Sequence, residues 1–253
     1  MSRAVLVVGA VAAALALSVA AVWYGVLRDT AEPVSVGEAV TSFRTDTEPT
    51  PSQSSPIPEG VYVYATTGYE KTDALTGVTH RYPKRSTITI RAADCGVSLL
   101  WRVLDGRSTE WIFCTAPDGW ELASQDERHT FFGRTERTTY VCEGTAIKPV
   151  TAVASWTVAC STDAAEETGR GTVAGRERLV VAGKSVSTVH VLKTTSFAGE
   201  IRGTARHDIW FDTQSGVPVK MVMVSRTMND SPIGDVHYEE DVTLLLTSLT
   251  PRR

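Results

Sequence analysis

From residue 60 to the C terminus, apolar and polar residues alternate with a period of two, the signature of strands. Val61-Tyr62-Val63-Tyr64, Thr87-Ile88-Thr89-Ile90 and Val189-His190-Val191-Leu192 combine that period with β-branched and aromatic residues. His207-Asp208-Ile209-Trp210-Phe211 and the run at 219–224 read the same way. Turn signals separate them at Asp105-Gly106, Pro117-Asp118-Gly119, Ala182-Gly183, Ala198-Gly199, Ser215-Gly216 and Asn229-Asp230. About ten strands joined by short turns make an antiparallel meander. The helical character at 164–168 is too short to change that class. The expected fold is mostly β.

Several of these strands are apolar on both faces. Val219, Met221 and Met223 share one side of their strand, and Val222 and Val224 the other. Val242, Leu244 and Leu246 share a face, with Leu245 opposite. A sheet open to water on one side should be polar there. Two-sided apolarity therefore implies that a second sheet, the curl of a barrel or a bound apolar ligand covers the other face. Methionines pack adaptably at such surfaces, which makes Met221 and Met223 candidate ligand-binding residues.

The N-terminal portion obeys a different grammar. Residues 4–27 carry no charge, and as a helix they would reach about 36 Å, enough to cross a bilayer core. The run is longer than a cleavable signal segment, and Trp23 and Tyr24 suit the headgroup layer. Residues 1–28 are read as a single-pass signal-anchor. No cysteine follows the run, so a lipid-modified N terminus has no attachment atom. Within 29–58, Val34 to Arg44 suit a short amphipathic helix with Ala39, Val40 and Phe43 on one face. Residues 45–58 hold four prolines among Ser, Thr and Gln, a semi-stiff spacer. Residues 59–253 form one domain.

All four cysteines, Cys95, Cys114, Cys142 and Cys160, fall in that domain. An even count in an exported domain reads as a disulfide framework. Of three connectivities, nearest neighbours are preferred, because Cys95/Cys114 and Cys142/Cys160 each bracket a hairpin. Zinc spacing is absent. The cysteines place the domain outside the cytoplasm at the cell membrane. With 25 basic and 29 acidic residues the net charge is −4, and no basic stripe suits nucleic acid.

The element Trp210-Phe211-Asp212-Thr213-Gln214-Ser215-Gly216-Val217-Pro218-Val219-Lys220 resembles a strand–turn–strand unit of the LolA and LppX/LprG-type lipid carriers. Asp212 can accept turn N–H groups, Gly216 can take a positive φ, and Pro218 near a strand start leaves the ladder intact. The resemblance extends over about 180–249. It implies an unclosed barrel, a strongly curved antiparallel sheet holding acyl chains against its concave face.

The five histidines, His80, His129, His190, His207 and His237, follow no metal-ligand spacing, though His190, His207 and His237 would converge if their strands were neighbours. No nucleophile elbow or related signature is present, so no catalytic residue, metal or cofactor is assigned. Glu239-Glu240-Asp241 reads as a solvated face. The expected role is a membrane-anchored binding protein for a lipid or other apolar ligand. The alternative is a structural or signalling ectodomain that contacts envelope proteins without a small ligand.

Overall fold

The alternating segments become thirteen strands of one antiparallel sheet. The computed structural model describes residues 31–45, 55, 57–116, 119–144, 155–231 and 234–253. In chain order the strands are β1 (Gly60–Thr72), β2 (Val78–Arg81), β3 (Arg85–Ala93), β4 (Gly96–Leu104), β5 (Arg107–Ala116) and β6 (Gly119–Phe131). They continue with β7 (Arg134–Gly144), β8 (Ser155–Ser161), β9 (Ala165–Val181), β10 (Lys184–Gly199), β11 (Ile201–Asp212), β12 (Pro218–Asn229) and β13 (Val236–Leu246). From β3 to β13 each strand pairs with its sequence neighbours, which is the expected meander.

The expected half-barrel is corrected: the barrel is closed. β1 pairs with β13 from Tyr64↔Leu246 to Thr72↔Tyr238, while its first half pairs with β3 along the opposite edge. Twelve strands thus form a ring, with β2 as a short flap on the far half of β1. Closure leaves the ring without a free edge, which an open sheet of this length would have to shield by other means.

Both nearest-neighbour disulfides form, Cys95–Cys114 and Cys142–Cys160. They act at different places. Cys95 sits in the β3–β4 turn and ties it to β5, beside the Gly96↔Cys114 pair. Cys142 and Cys160 face each other directly across β7 and β8, whose ladder has only four pairs, the shortest in the ring. A covalent link therefore reinforces the thinnest seam. By loop entropy each bridge is worth about 3 kcal/mol.

The amphipathic helix is present as α1 (Val36–Thr45). Ser35 and Glu38 form a capping box: the Glu38 N–H donates to Ser35 Oγ (3.1 Å), and the Ser35 N–H donates to Glu38 Oε2 (2.7 Å). Ala39 and Phe43 pack on Val61 at the barrel's outer wall, and the Arg91 guanidinium lies 5.1 Å above the Phe43 ring. Just before α1, Pro33 bridges to Leu104 at the end of β4. The anchor read at 1–28 and the spacer residues 46–54 and 56 lie outside the described residues; among the described residues no helix is long and apolar enough to cross a membrane. Ile57 is built into the barrel, wholly buried in the main core, and Tyr62 Oη donates to Pro58 O (2.8 Å).

The 210–220 element behaves locally as its residues require. Asp212 Oδ2 accepts the Ser215 N–H (2.9 Å), Gly216 has φ 73°, and β12 starts at Pro218. The turn sets the phase of both flanking strands. Phe211, Ile209 and His207 of β11 and Val219, Met221 and Met223 of β12 consequently share the inner face.

Candidate functional site

Register carries one set of side chains into the lumen from all twelve strands, and this lumen is divided. Toward the end where β1 starts it is apolar: Tyr62, Ile88 and Trp101 lie in register on β1, β3 and β4, and all are essentially fully buried. Toward the end where β1 finishes it is charged. The same alternation that points Val242, Leu244 and Leu246 inward also points Glu240 inward, 6% exposed. This corrects the reading of Glu239-Glu240-Asp241 as a solvated face: the strand runs through the triplet, and its middle residue is carried to the lumen.

The charged end is organised around Arg107, 3% exposed. Its Nε and Nη2 donate to Glu240 Oε1 (3.1 Å) and Oε2 (2.9 Å), a bidentate pair. Its Nε is 3.8 Å from Glu70, which is also in contact with His80 (2.9 Å) and His129 (3.3 Å). Tyr238 donates to Glu70 (3.3 Å), and Tyr82 donates to Glu240. A line of polar contacts runs from here toward the apolar end. His129 approaches Glu127 (3.7 Å), Gln125 Nε2 donates to Glu127 (2.9 Å), and Trp111 Nε1 donates to Gln125 (3.0 Å).

Electrostatics follows from this packing. Burial pushes the Glu70 carboxyl up, but hydrogen bonds with His129 and His80 and the Arg107 charge outweigh it and hold it at about 2. Glu127 is likewise held at about 2, against burial, chiefly by His129 and Arg107. Glu127 keeps 29% of its side-chain surface accessible. Burial and the Arg107 charge pull His129 down, yet Glu127 and Glu70 raise it above the usual histidine range. Burial and these neighbours keep the Tyr82 and Tyr238 phenols protonated. Among the described residues no set of His, Cys, Asp or Glu is arranged to hold a metal ion.

The apolar end is incompletely filled. A cavity of about 60 Å³ is lined by residues that include Leu99, Trp111, Phe113, Trp156, Ile209 and Met221. That is more than the roughly 10–15 Å³ needed to admit one water-sized group. Gly171 makes room for one wall: a Cβ there would lie 2.2 Å from the Trp156 ring. Met221, 4% exposed, lines the cavity. Met223, equally buried, lies on the same face between its partners His207 and Val242 and is not a lining residue.

Lys193 and His207, cross-strand partners on β10 and β11, complete the cavity lining. Lys193 Nζ donates to Glu167 Oε1 (2.7 Å), with side-chain exposures of 15% and 2%. The other oxygen, Glu167 Oε2, is buried with no hydrogen-bond partner. Burial, reinforced by the Lys193 charge, pushes the His207 imidazole down to about 4, so it is neutral at physiological pH.

The three histidines that neighbouring strands could have gathered stay apart. His207 faces the lumen. His190 stacks on Trp210 (4.1 Å between centroids) and contacts Asp208 (2.8 Å) on the outer wall. His237 contacts Asp73 (2.8 Å) near the end of the flap. Sequence reasoning missed Glu70, Arg107, Glu127, Glu167, Lys193 and Glu240 as lumen residues. The available signal was phase: Lys193 continues Val189 and Val191, and Arg107 precedes Thr109, Trp111 and Phe113.

No protein-family model matches the chain, and no curated protein matches it. Among solved structures the chain is similar to the hypothetical lipoprotein YmcC from Escherichia coli (K12), with 13% identity over 85% of this chain and 98% of that one, at a TM-score of 0.31. A superposition of that quality carries no information about ligand or role.

Proposed function

We propose that this chain is a membrane-tethered, extracytoplasmic binding protein whose barrel lumen takes a small apolar or amphipathic ligand. The observation that carries this reading is the apolar cavity inside the closed barrel, walled by Trp111, Phe113, Trp156 and Met221. Largely preformed apolar pockets with a few convergent polar groups are where small ligands bind. Two disulfides suit an oxidising compartment, and the uncharged run at 4–27 supplies the tether. Only five residues, six Cα–Cα steps, separate Leu27 from Pro33, which bridges to Leu104. On this reading the charged end of the barrel lies within about 21 Å of the tether's end. The resemblance of the 210–220 element to lipid carriers points the same way.

Calorimetric titration of 1-octanol into the full chain in lipid nanodiscs, with empty nanodiscs as the blank, tests the reading. A saturable heat at one site per chain is expected. Val158→Phe, which fills the cavity, should remove it while thermal unfolding remains cooperative. A signal identical to the blank favours the alternative, an ectodomain that contacts envelope proteins and takes no small ligand.

A further inference from the structure

We infer that Leu75 and Phe132, at the tips of two hairpins on the charged end of the barrel, sit in the headgroup layer of the bilayer that holds the tether. This rests on the tether of the proposed function and adds an orientation to it. Antiparallel alternation brings the β1–β2 turn at 73–77, the β4–β5 turn at 105–106 and the β6–β7 turn at 132–133 to this one end. These turns are neighbours. A Cβ on Gly106 would lie 2.6 Å from the Thr130 side chain, and Phe131 stacks on His80 of β2 with 4.9 Å between centroids. The chain from the tether arrives at the middle turn, where Pro33 bridges to Leu104 and Asp105 Oδ1 accepts the Glu32 N–H (3.3 Å). Six Cα–Cα steps from Leu27 to Pro33 span at most about 21 Å, so this end of the barrel stays beside the membrane.

The tip residues break the local rule. Leu75 (φ 55°) follows Ala74 in a turn closed by the Gly77 N–H on Ala74 O (2.8 Å), and Phe132 (φ 53°) precedes Gly133 in the hairpin turn after the Phe131↔Arg134 pair. Such positions favour Gly, Asn or Asp, and a bulky apolar residue there is strained. Leu75 is 60% exposed, Phe132 is partly exposed, and neither belongs to the barrel core. Ala182, the one other non-glycine residue with a positive φ among the described residues, is small and lies at the opposite end. Folding alone does not offset the strain of Leu75 and Phe132. Transfer of Leu and Phe into the headgroup layer does. Charge then decides which side faces the membrane. The turns across the ring carry Asp163, Glu200, Asp230 and Asp235, all exposed, with Arg202 on the last two. Beside the apolar tips, Asp73 and Asp105 are tied to the backbone N–H groups of His237 and Glu32. Arg134, 81% exposed and 3.7 Å from Glu136, follows the Phe132 tip. An anionic bilayer surface attracts that arginine and repels the acidic turns, which tilts the barrel onto Leu75 and Phe132.

Depth-dependent quenching of the full chain in phosphatidylcholine–phosphatidylglycerol vesicles tests this. With a nitroxide lipid labelled at the headgroup, an environment-sensitive fluorophore on Thr76→Cys or, in a separate chain, on Thr135→Cys should be quenched, and one on Asp163→Cys should not. Two tip labels are read, so a misfolded chain at one position does not spare the inference. Leu75→Asn combined with Phe132→Asn should abolish the quenching at both positions without lowering the unfolding temperature, because Asn tolerates a positive φ. Quenching no stronger at Thr76 and Thr135 than at Asp163, or quenching that survives the double replacement, overturns the docking. A fluorophore on Ala16→Cys, read with a nitroxide at the lipid chain end, reports the tether separately. Quenched there but not at the tips, the chain is tethered and the docking alone fails. Unquenched at Ala16→Cys, the tether reading falls and the docking falls with it.

Discussion

The two ends of the lumen solve the same packing problem in opposite ways. One end is lined by charge: Arg107, Glu240, Glu70, His80, His129 and two tyrosines are linked by ion pairs and hydrogen bonds, beside a polar pocket of about 90 Å³ that Glu70, His80, Arg128 and Thr130 help to line. The other end is lined by aromatic and aliphatic side chains that leave an apolar space of about 60 Å³. Space among matched charges suits water, whereas apolar space gains from an apolar guest. That contrast is the ground for proposing that an apolar ligand binds at the apolar end.

The largest expected effect falls on the structural end. Arg107→Met leaves Glu240 and Glu70 buried without their cation and should cost about 3–5 kcal/mol in urea unfolding. 1-Octanol affinity per folded molecule should change little. Equal losses of stability and affinity would erase the distinction between the two ends. Next comes the β7–β8 seam. Replacing both Cys142 and Cys160 by Ser should cost more than the about 3 kcal/mol that loop entropy alone assigns, because only four ladder pairs remain to hold that join. The same replacement at Cys95 and Cys114 tests whether loop length alone sets the cost. Equal losses would mean the thin ladder adds nothing.

Smaller effects are expected at the binding end. Met221→Ala widens a cavity that already exists and should cost about 2 kcal/mol, the low end for a buried methionine, while raising affinity for a longer chain. Met223→Ala, off the cavity, should cost at least as much without that gain. The pH dependence separates the two ends most finely. Glu70 and Glu127, held at about 2 against an ordinary 4.5, contribute stability that is present above pH 4.5 and lost as pH falls through 2. His207, depressed to about 4 from 6.5, resists protonation, so stability falls as pH drops from 6.5 toward 4. His129 runs the other way: its folded value is raised above 6.5, so its contribution is complete below pH 6.5 and lost as pH rises from there through the raised folded value. In unfolding scans against pH, His207→Gln should flatten the acid-side decline and His129→Gln the neutral-side one. Identical profiles for the two variants would contradict the assignment.

Much of this architecture was legible in the residues. Period-two runs and Gly- or Asp-bearing turns marked the meander, paired cysteines marked the bridges, and Ala39, Val40 and Phe43 on one face marked α1. Closure was not legible. A strand in an open curl and one in a closed ring show the same alternation, and the joining of β1 to β13 links residues from opposite ends of the domain. Met221 could be named from two-sided apolarity. Its separation from Met223 could not, because the cavity depends on Trp156 turning into the space over Gly171. The charged end was hidden by composition: Glu240 sits between two acidic residues, and only strand phase shows that the middle one points inward.

Tryptophan quenching tests the central claim, a ligand held at the apolar end, most directly. Trp111 and Trp156 both line the cavity, so a 1-octanol brominated at its chain end should quench them saturably in the full chain in nanodiscs, beyond the empty-disc blank. Most of that quenching should disappear when both are replaced by Phe, with the alkyl chain still bound in calorimetry. Saturable quenching that survives the double replacement, or no quenching beyond simple collision with free ligand, would contradict the account.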